Sequence, residues 1–388
     1  MIRFKEFLVI FKSLLFYFFD SLALIKLTKT IKNKFEVVLI VRQDAIGDFI
    51  LWLDTAKEYR KLFPPNKYKI ILLGNDSWND LAKELPYWDE VLPISNDKFK
   101  ALSVYRWKIL KQVQSLAANI VLQPTFSREF YLGDSLVRAS HASLKVSSVG
   151  DMSNRNWLKK TLSDGWHTKL IPASLKPLTE LERNAEFFSG VSQNKYVSNY
   201  PIIEVLKSWS IIKFNKEEFY VLALGANENC RAWPINSYGE IAERIYENTG
   251  WNGFVCGVKK EFNLGEKIKK ICNAPLENYA GRTSLKELAW LLAKSKILIC
   301  NESGTAHIAT AVGTSTVSIA GGGHFGRFVP YPKIAGYINK LDIVYNKMPC
   351  YGCNWECIFP IKKNEPAPCI TKISVDAVWK KVKPLLLS

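Results

Sequence analysis

The chain has 388 residues, 48% of them hydrophobic and 23% charged, which suits two globular domains with their own cores and excludes a disordered chain. Its formal charge of +17 favours anionic partners, but the basic residues are spread out, with no zinc-finger histidine spacing and no basic recognition helix. Nucleic acid is therefore set aside in favour of membrane surfaces and phosphorylated small molecules.

Residues 1–34 carry seven Lys or Arg and two acids, a net +5. Arg3 and Lys5 precede an apolar run without a small-residue cleavage site, so no secretion signal is read and the expected location is the cytoplasm. Apolar residues at Phe4, Phe7, Leu8, Phe11, Leu14, Leu15, Phe18, Leu22 and Ile25 have helical spacing along one face, with Ser13 and Asp20 off it. Lys12 and Asp20 interrupt the run of about 20 apolar residues that a spanning helix needs. The expectation is an in-plane amphipathic helix followed by Lys26, Lys29, Lys32 and Lys34, lying on the inner membrane; packing on protein would use the same stripe.

From residue 36 the pattern changes. EVVLIVR (36–42), KIILLG (69–74), EVLPIS, NIVLQP (119–124) and SLKVSSVG (143–150) read as strands, alternating with helical segments that include 49–63. The span 151–215 is less regular, with a helix expected near 176–190. After a break near 200–218 the alternation restarts with strands FYVLALGA (219–226), GFVCG (253–257), ILIC (297–300) and TSTVSIAG (314–321). The intervening helices are expected at 237–250, ended by Gly250, and at 284–295 and 305–313. Two parallel α/β sheets are predicted.

Two constellations lie where a strand gives way to a helix, the place at which open α/β sheets bind ligands. The first is Arg42-Gln43-Asp44-Ala45-Ile46-Gly47-Asp48. Gly47 allows close approach of backbone, and Asp48 could accept a proton from a hydroxyl; helix capping accounts for an aspartate there as well. The second is Asn301-Glu302-Ser303-Gly304-Thr305-Ala306-His307. Helix N–H groups and the Ser303 and Thr305 hydroxyls there suit a diphosphate, while a satisfied structural histidine would explain His307 alone. Gly225-Ala226-Asn227 with Arg231, a two-pronged phosphate clamp, and the run Gly321-Gly322-Gly323-His324 follow neighbouring strands. No G-x-G-x-x-G turn and no Walker loop occurs, against a dehydrogenase or NTPase.

VVLIVRQDAIGDFIL, WPINSYGEIAERI and AGRTSLKELAWLLAKSKILICNESGTAHIATAVGTSTVSIAG, in that order, resemble the signatures of glycosyltransferase family 9, the heptosyltransferases. The resemblance implies a GT-B fold, two Rossmann-like domains with parallel sheets facing across a cleft: 35–205 for the acceptor and 206–345 for the nucleotide sugar. Residues 1–34 would be the anchor and 346–388 a Cys-rich segment ending in a helix that crosses back to the first domain. It implies Asp48 as catalytic base, with Gly47 and Asp44 beside the acceptor. Arg231, Glu302, Ser303, Gly304, Thr305 and His307 would bind the donor, and inversion would proceed without a catalytic metal. Glu302 stands where the family commonly has Asp, which keeps a sugar other than heptose open.

Cys350, Cys353, Cys357 and Cys369 have a spacing that can close a tetrahedral zinc or iron site of structural role, or can be reduced thiols packing a loop. A family 9 subgroup that glycosylates autotransporter proteins resembles this segment in holding iron on cysteines. The expected donor is ADP-heptose and the expected acceptor a lipid-linked or lipopolysaccharide glycan. Alternatives are another nucleotide sugar, a protein acceptor, or a non-catalytic glycan-binding protein of the same fold.

Overall fold

The computed structural model describes residues 2–25, 34–210, 218–362 and 365–387. The chain forms two units: Met1–Phe49, Thr55–Lys176 and Glu182–Ser198 in the first, and Ile50–Asp54, Pro177–Leu181 and Asn199–Ser388 in the second.

The first unit holds strands β1 (Glu36–Arg42), β2 (Tyr68–Asn75), β3 (Glu90–Ile94), β4 (Ile120–Gln123), β5 (Leu144–Ser148) and β6 (Lys169–Ile171) in the order β3-β2-β1-β4-β5-β6. The second holds β7 (Phe219–Ala223), β8 (Asn252–Cys256), β9 (Leu276–Asn278), β10 (Ile297–Asn301), β11 (Ser315–Ile319) and β12 (Leu341–Val344) in the order β12-β11-β10-β7-β8-β9. Every neighbouring pair is parallel. Renumbered within its own unit, the second order repeats the first, and both are the doubly wound dinucleotide-fold order. The central strands β1, β7 and β10 are buried on both faces, which is why they read as unbroken apolar runs.

The helix expected over 49–63 is instead α2 (Ile46–Ala56) followed by a separate turn, Tyr59–Leu62. The break lets Tyr59 bury completely and meet Phe188 edge to face at 5.2 Å. The helix expected near 176–190 spans Glu180–Ser192. The helix Ile235–Thr249 ends at Gly250, whose φ of 70° lets its N–H reach the Tyr246 carbonyl at 2.8 Å. The C-terminal helix Val375–Val382 buries Val378 and Val382 in the core of the second unit, with Tyr238, Ile241 and Ile245. Its two apolar anchors find their partners on the neighbouring helix Ile235–Thr249.

Helix α1 (Ile2–Ala23) docks on the first unit through the face that carries its polar residues. Ser13, Phe16, Asp20 and Ala23 are buried. Asp20 makes two bonds with Arg106, Nε to Oδ1 at 2.7 Å and Nη2 to Oδ2 at 2.5 Å, and Ser13 Oγ lies 3.0 Å from the Tyr131 hydroxyl. The apolar stripe, with Leu8, Phe11, Leu15, Phe18, Leu22 and Ile25, is left exposed, Ile25 by 65%. Among the described residues no helix is long and apolar enough to cross a membrane. Lys26, Lys29 and Lys32 lie outside the described residues.

Candidate functional site

In the first unit the turn from β1 into α2 is held by buried polar groups. The Arg42 guanidinium, fully buried, donates to Asn184 Oδ1 at 2.8 Å and to the Asp48 backbone carbonyl at 3.2 Å, and its Nε lies 2.6 Å from Asp44 Oδ2. Thr125 Oγ1 donates to the same Asp44 oxygen at 2.9 Å. The Asp44 carbonyl accepts from Trp78 Nε1 at 3.0 Å, and the Gln43 carbonyl from Asn96 Nδ2 at 2.7 Å. Asp44 is thus committed to a structural ion pair. Asp48 and Gly47 both lie in the first turn of α2 and are half-buried; Asp48 sits inside that turn, where the helix dipole favours a carboxylate, and not at the cap position.

In the second unit, β10 runs into the helix Gly304–Ala311. Asn301, fully buried, ties this loop to its neighbours: Oδ1 accepts from the Trp233 N–H at 2.9 Å, and Nδ2 donates to the carbonyls of Leu224 at 2.8 Å and Gly225 at 3.2 Å. Ser303 occupies the N-cap position in extended conformation, but its side chain makes no capping bond, so its hydroxyl is not spent on the helix. Ser303, Gly304 and Thr305 are half-buried.

Arg231 follows on the turn Asn229–Arg231, with Nη2 3.4 Å from the Glu302 carbonyl and 3.8 Å from Glu302 Oε1. The Glu302 side chain is only 5% exposed; burial raises its carboxyl above the usual range, and Arg231 partly opposes this. Among the described residues, buried Arg231 Nε and Glu302 Oε2 find no hydrogen-bond partner, two polar atoms that a ligand could satisfy. His307 is different. It is 3% exposed, burial lowers its pKa to about 4, and Nδ1 lies 2.7 Å from the Tyr331 hydroxyl. A neutral, internally bonded histidine of this kind supports the loop from beneath.

Glu261 is a residue that no sequence motif marks. A Cβ added at Gly225 or Gly257 would fall 2.0 Å and 2.2 Å from its carboxylate oxygens, so both glycines are needed to admit that side chain at the ends of β7 and β8.

The four C-terminal cysteines are free thiols: Cys350, Cys353 and Cys357 half-buried and Cys369 buried. Among the described residues no three His, Cys, Asp or Glu side chains are arranged to hold a metal ion, so the zinc or iron reading of these cysteines gains no support. Cys369 is packed in the second core with Ile370 and Ile373; burial there raises its thiol pKa, and the neighbouring Cys350, Cys353 and Cys357 raise it further. The loop that carries the other three is fastened by aromatic side chains.

Residues 175–354 match the family described as glycosyltransferase family 9 (heptosyltransferase). This stretch includes Arg231, Glu302, Ser303, Gly304, Thr305 and His307 but not Asp48. The lipopolysaccharide core heptosyltransferase OpsX of Haemophilus influenzae is 31% identical over 112 residues, 28% of this chain. That alignment covers 32% of OpsX, so the chain matches about a third of the length of this curated relative. Among solved structures, a family 9 glycosyltransferase from Veillonella parvula superposes with a TM-score of 0.69 at 15% identity, covering 92% of this chain and 99% of that one. The E. coli heptosyltransferase WaaC with ADP-2-deoxy-2-fluoro heptose superposes with a TM-score of 0.64 at 14% identity, covering 90% and 99%. At such identities the likeness establishes the fold, the GT-B type with two Rossmann-like parallel sheets.

Proposed function

We propose that this chain is a heptosyltransferase-like protein of glycosyltransferase family 9 that performs inverting transfer of a sugar, heptose first, from an ADP-linked donor to a lipid-linked or lipopolysaccharide-core glycan. The observation that carries the reading is the end of β10. There an uncommitted Ser303 hydroxyl, the helix N-terminus at Gly304–Thr305, and Arg231 beside the unpaired Glu302 oxygen lie together inside the family-matched stretch.

In this mechanism the acceptor hydroxyl oxygen attacks the anomeric carbon and its proton passes to Asp48. The bond from that carbon to the diphosphate oxygen breaks. The departing charge is met by Arg231, the Ser303 and Thr305 hydroxyls and the N–H groups of the helix that begins at Gly304. The donor sugar's hydroxyls reach Glu302, whose unpartnered Oε2 can accept from one of them. A glutamate at this position also suits a sugar other than heptose, and the nucleotide panel below separates the two.

The reading places the enzyme peripherally on the cytoplasmic face of the inner membrane, its α1 stripe lying in an anionic lipid surface. Support comes from the exposed row Leu8, Phe11, Leu15, Phe18, Leu22 and Ile25 and from the cations nearby. Lys12 and Lys159 both sit over the Tyr131 ring, at 5.4 Å and 4.6 Å, and Lys111 reaches the Ile25 carbonyl at 3.0 Å.

The test is thermal stabilisation by ADP, UDP, GDP, CDP, dTDP and NAD, one at a time. A ligand that binds only the folded state raises the melting temperature by mass action. A rise with ADP alone is expected. A rise with a different diphosphate keeps the transferase and changes the donor, and no rise with any of them removes the transferase reading.

A further inference from the structure

The loop that carries Cys350, Cys353 and Cys357 lies against the glycine run after β11, at the sheet end where the donor residues are found. A Cβ at Gly321 or Gly323 would fall 2.5 Å and 2.4 Å from Trp355 ring atoms, and one at Gly322 would fall 2.4 Å from Tyr351. Three successive glycines are therefore the imprint of two aromatic rings. The backbones are joined as well: Gly352 N–H donates to the Gly322 carbonyl at 2.8 Å and Asn354 N–H to the Gly323 carbonyl at 3.0 Å. Asn354 and Trp355 have φ of 51° and 64°, a conformation that L side chains rarely adopt, here twice in succession. That backbone turns the indole inward.

The indole is oriented by His324. Trp355 Nε1 donates to His324 Nδ1 at 3.3 Å, so Nδ1 is an acceptor and the proton sits on Nε2, 2.8 Å from Asn354 Oδ1. Burial lowers the pKa of His324, consistent with this neutral tautomer. The Trp355 ring also meets the Arg231 guanidinium, 4.8 Å from Cζ to the ring centroid.

We infer that Trp355 is a positioning residue for the donor diphosphate: its ring, anchored on Gly321–Gly323 and His324, holds the Arg231 guanidinium in place beside Glu302. The inference rests on the donor reading above and gives the cysteine-bearing loop a role in it. Arg231 has a long side chain that would otherwise sample many rotamers, and a planar cation held against an indole face is already ordered when the anion arrives.

The test is calorimetric titration of ADP into the full-length protein and its Trp355→Leu, Trp355→Phe and Arg231→Ala variants, with melting curves to verify folding. Trp355→Leu keeps apolar bulk but loses the π face, and its ADP Kd is expected to rise about tenfold. Trp355→Phe keeps a face under Arg231 and should stay within about threefold of wild type. The Trp355→Leu/Arg231→Ala double variant should bind no more weakly than Arg231→Ala alone, because the two residues then act through one interaction. Equal ADP affinity in wild type and Trp355→Leu, or additive losses in the double variant, would overturn the inference while leaving the donor reading intact. Failure of the wild type to bind ADP or any other nucleoside diphosphate would remove that reading and this inference with it.

Discussion

Replacing Asp20 with alanine removes a carboxylate that α1 buries in the first unit. Its partner Arg106 is fully buried, and all five guanidinium N–H groups are used: Nε and one Nη2 proton on Asp20, both Nη1 protons on the carbonyls of Phe99 and Tyr131, and the remaining Nη2 proton on Ser135 Oγ. The rings of Phe16 and Phe99 lie 4.8 Å and 4.4 Å from its Cζ, so water has no direct route to the cation. Asp20→Ala therefore leaves a buried charge with two orphaned donors, a change that typically costs about 3–5 kcal/mol. At roughly 2–4 °C per kcal/mol for a unit of this size, the first unit should melt about 6–20 °C earlier. The assay is scanning calorimetry, with limited proteolysis across α1 as a local readout. Asp20→Ala combined with Arg106→Leu removes both charges and should recover most of the loss. A single variant within about 1 kcal/mol of wild type would refute the view that this pair clamps the helix.

Asp48→Asn should fold as wild type does and lower the transfer rate by a factor of about 10²–10⁴, the range for loss of a general base; an unchanged rate removes Asp48 from that role. Burial lowers His307 and His167 to about 4, so between pH 6.5 and 4 the unfolded chain binds more protons than the folded one. The stability they contribute is therefore complete above about pH 7 and falls with acidification, by up to about 1.4 kcal/mol per pH unit for each histidine. Urea unfolding at pH 7.5 and 5.5 should show a smaller drop for His307→Gln than for wild type, and equal drops would contradict the burial argument. Leu15→Glu with Leu22→Glu alters only the exposed stripe of α1, so melting should be unchanged while co-sedimentation with phosphatidylglycerol vesicles is lost. If the wild type sediments equally with neutral vesicles or self-associates instead, the anionic-surface assignment falls.

Much of the architecture is written locally. EVVLIVR and ILIC are runs of apolar, largely β-branched residues that only a strand covered on both faces can bury, and Gly250 marks a helix end through its own backbone freedom. The loop at Glu302–Thr305 was legible for the same reason, since a buried strand followed at once by small polar residues and a helix leaves few other arrangements. The short edge strands β6, β9 and β12 carry no such signal, because three or four residues partnered on one side acquire their hydrogen bonds from the neighbouring strand.

The orientation of α1 was decided by Arg106, 86 residues away from Asp20; hydrophobic spacing located the stripe but could not say that a buried ion pair would turn it outward. Long-range packing also determined that His307 is sealed against Tyr331 and that Cys369 is packed in the second core. Trp355 lies 124 positions beyond Arg231 in the chain, and two consecutive left-handed residues bring its ring beneath that guanidinium. Periodicity records which residues want burial. The partner each one meets there depends on contacts between segments far apart in the chain, and those exist only once both sheets have formed.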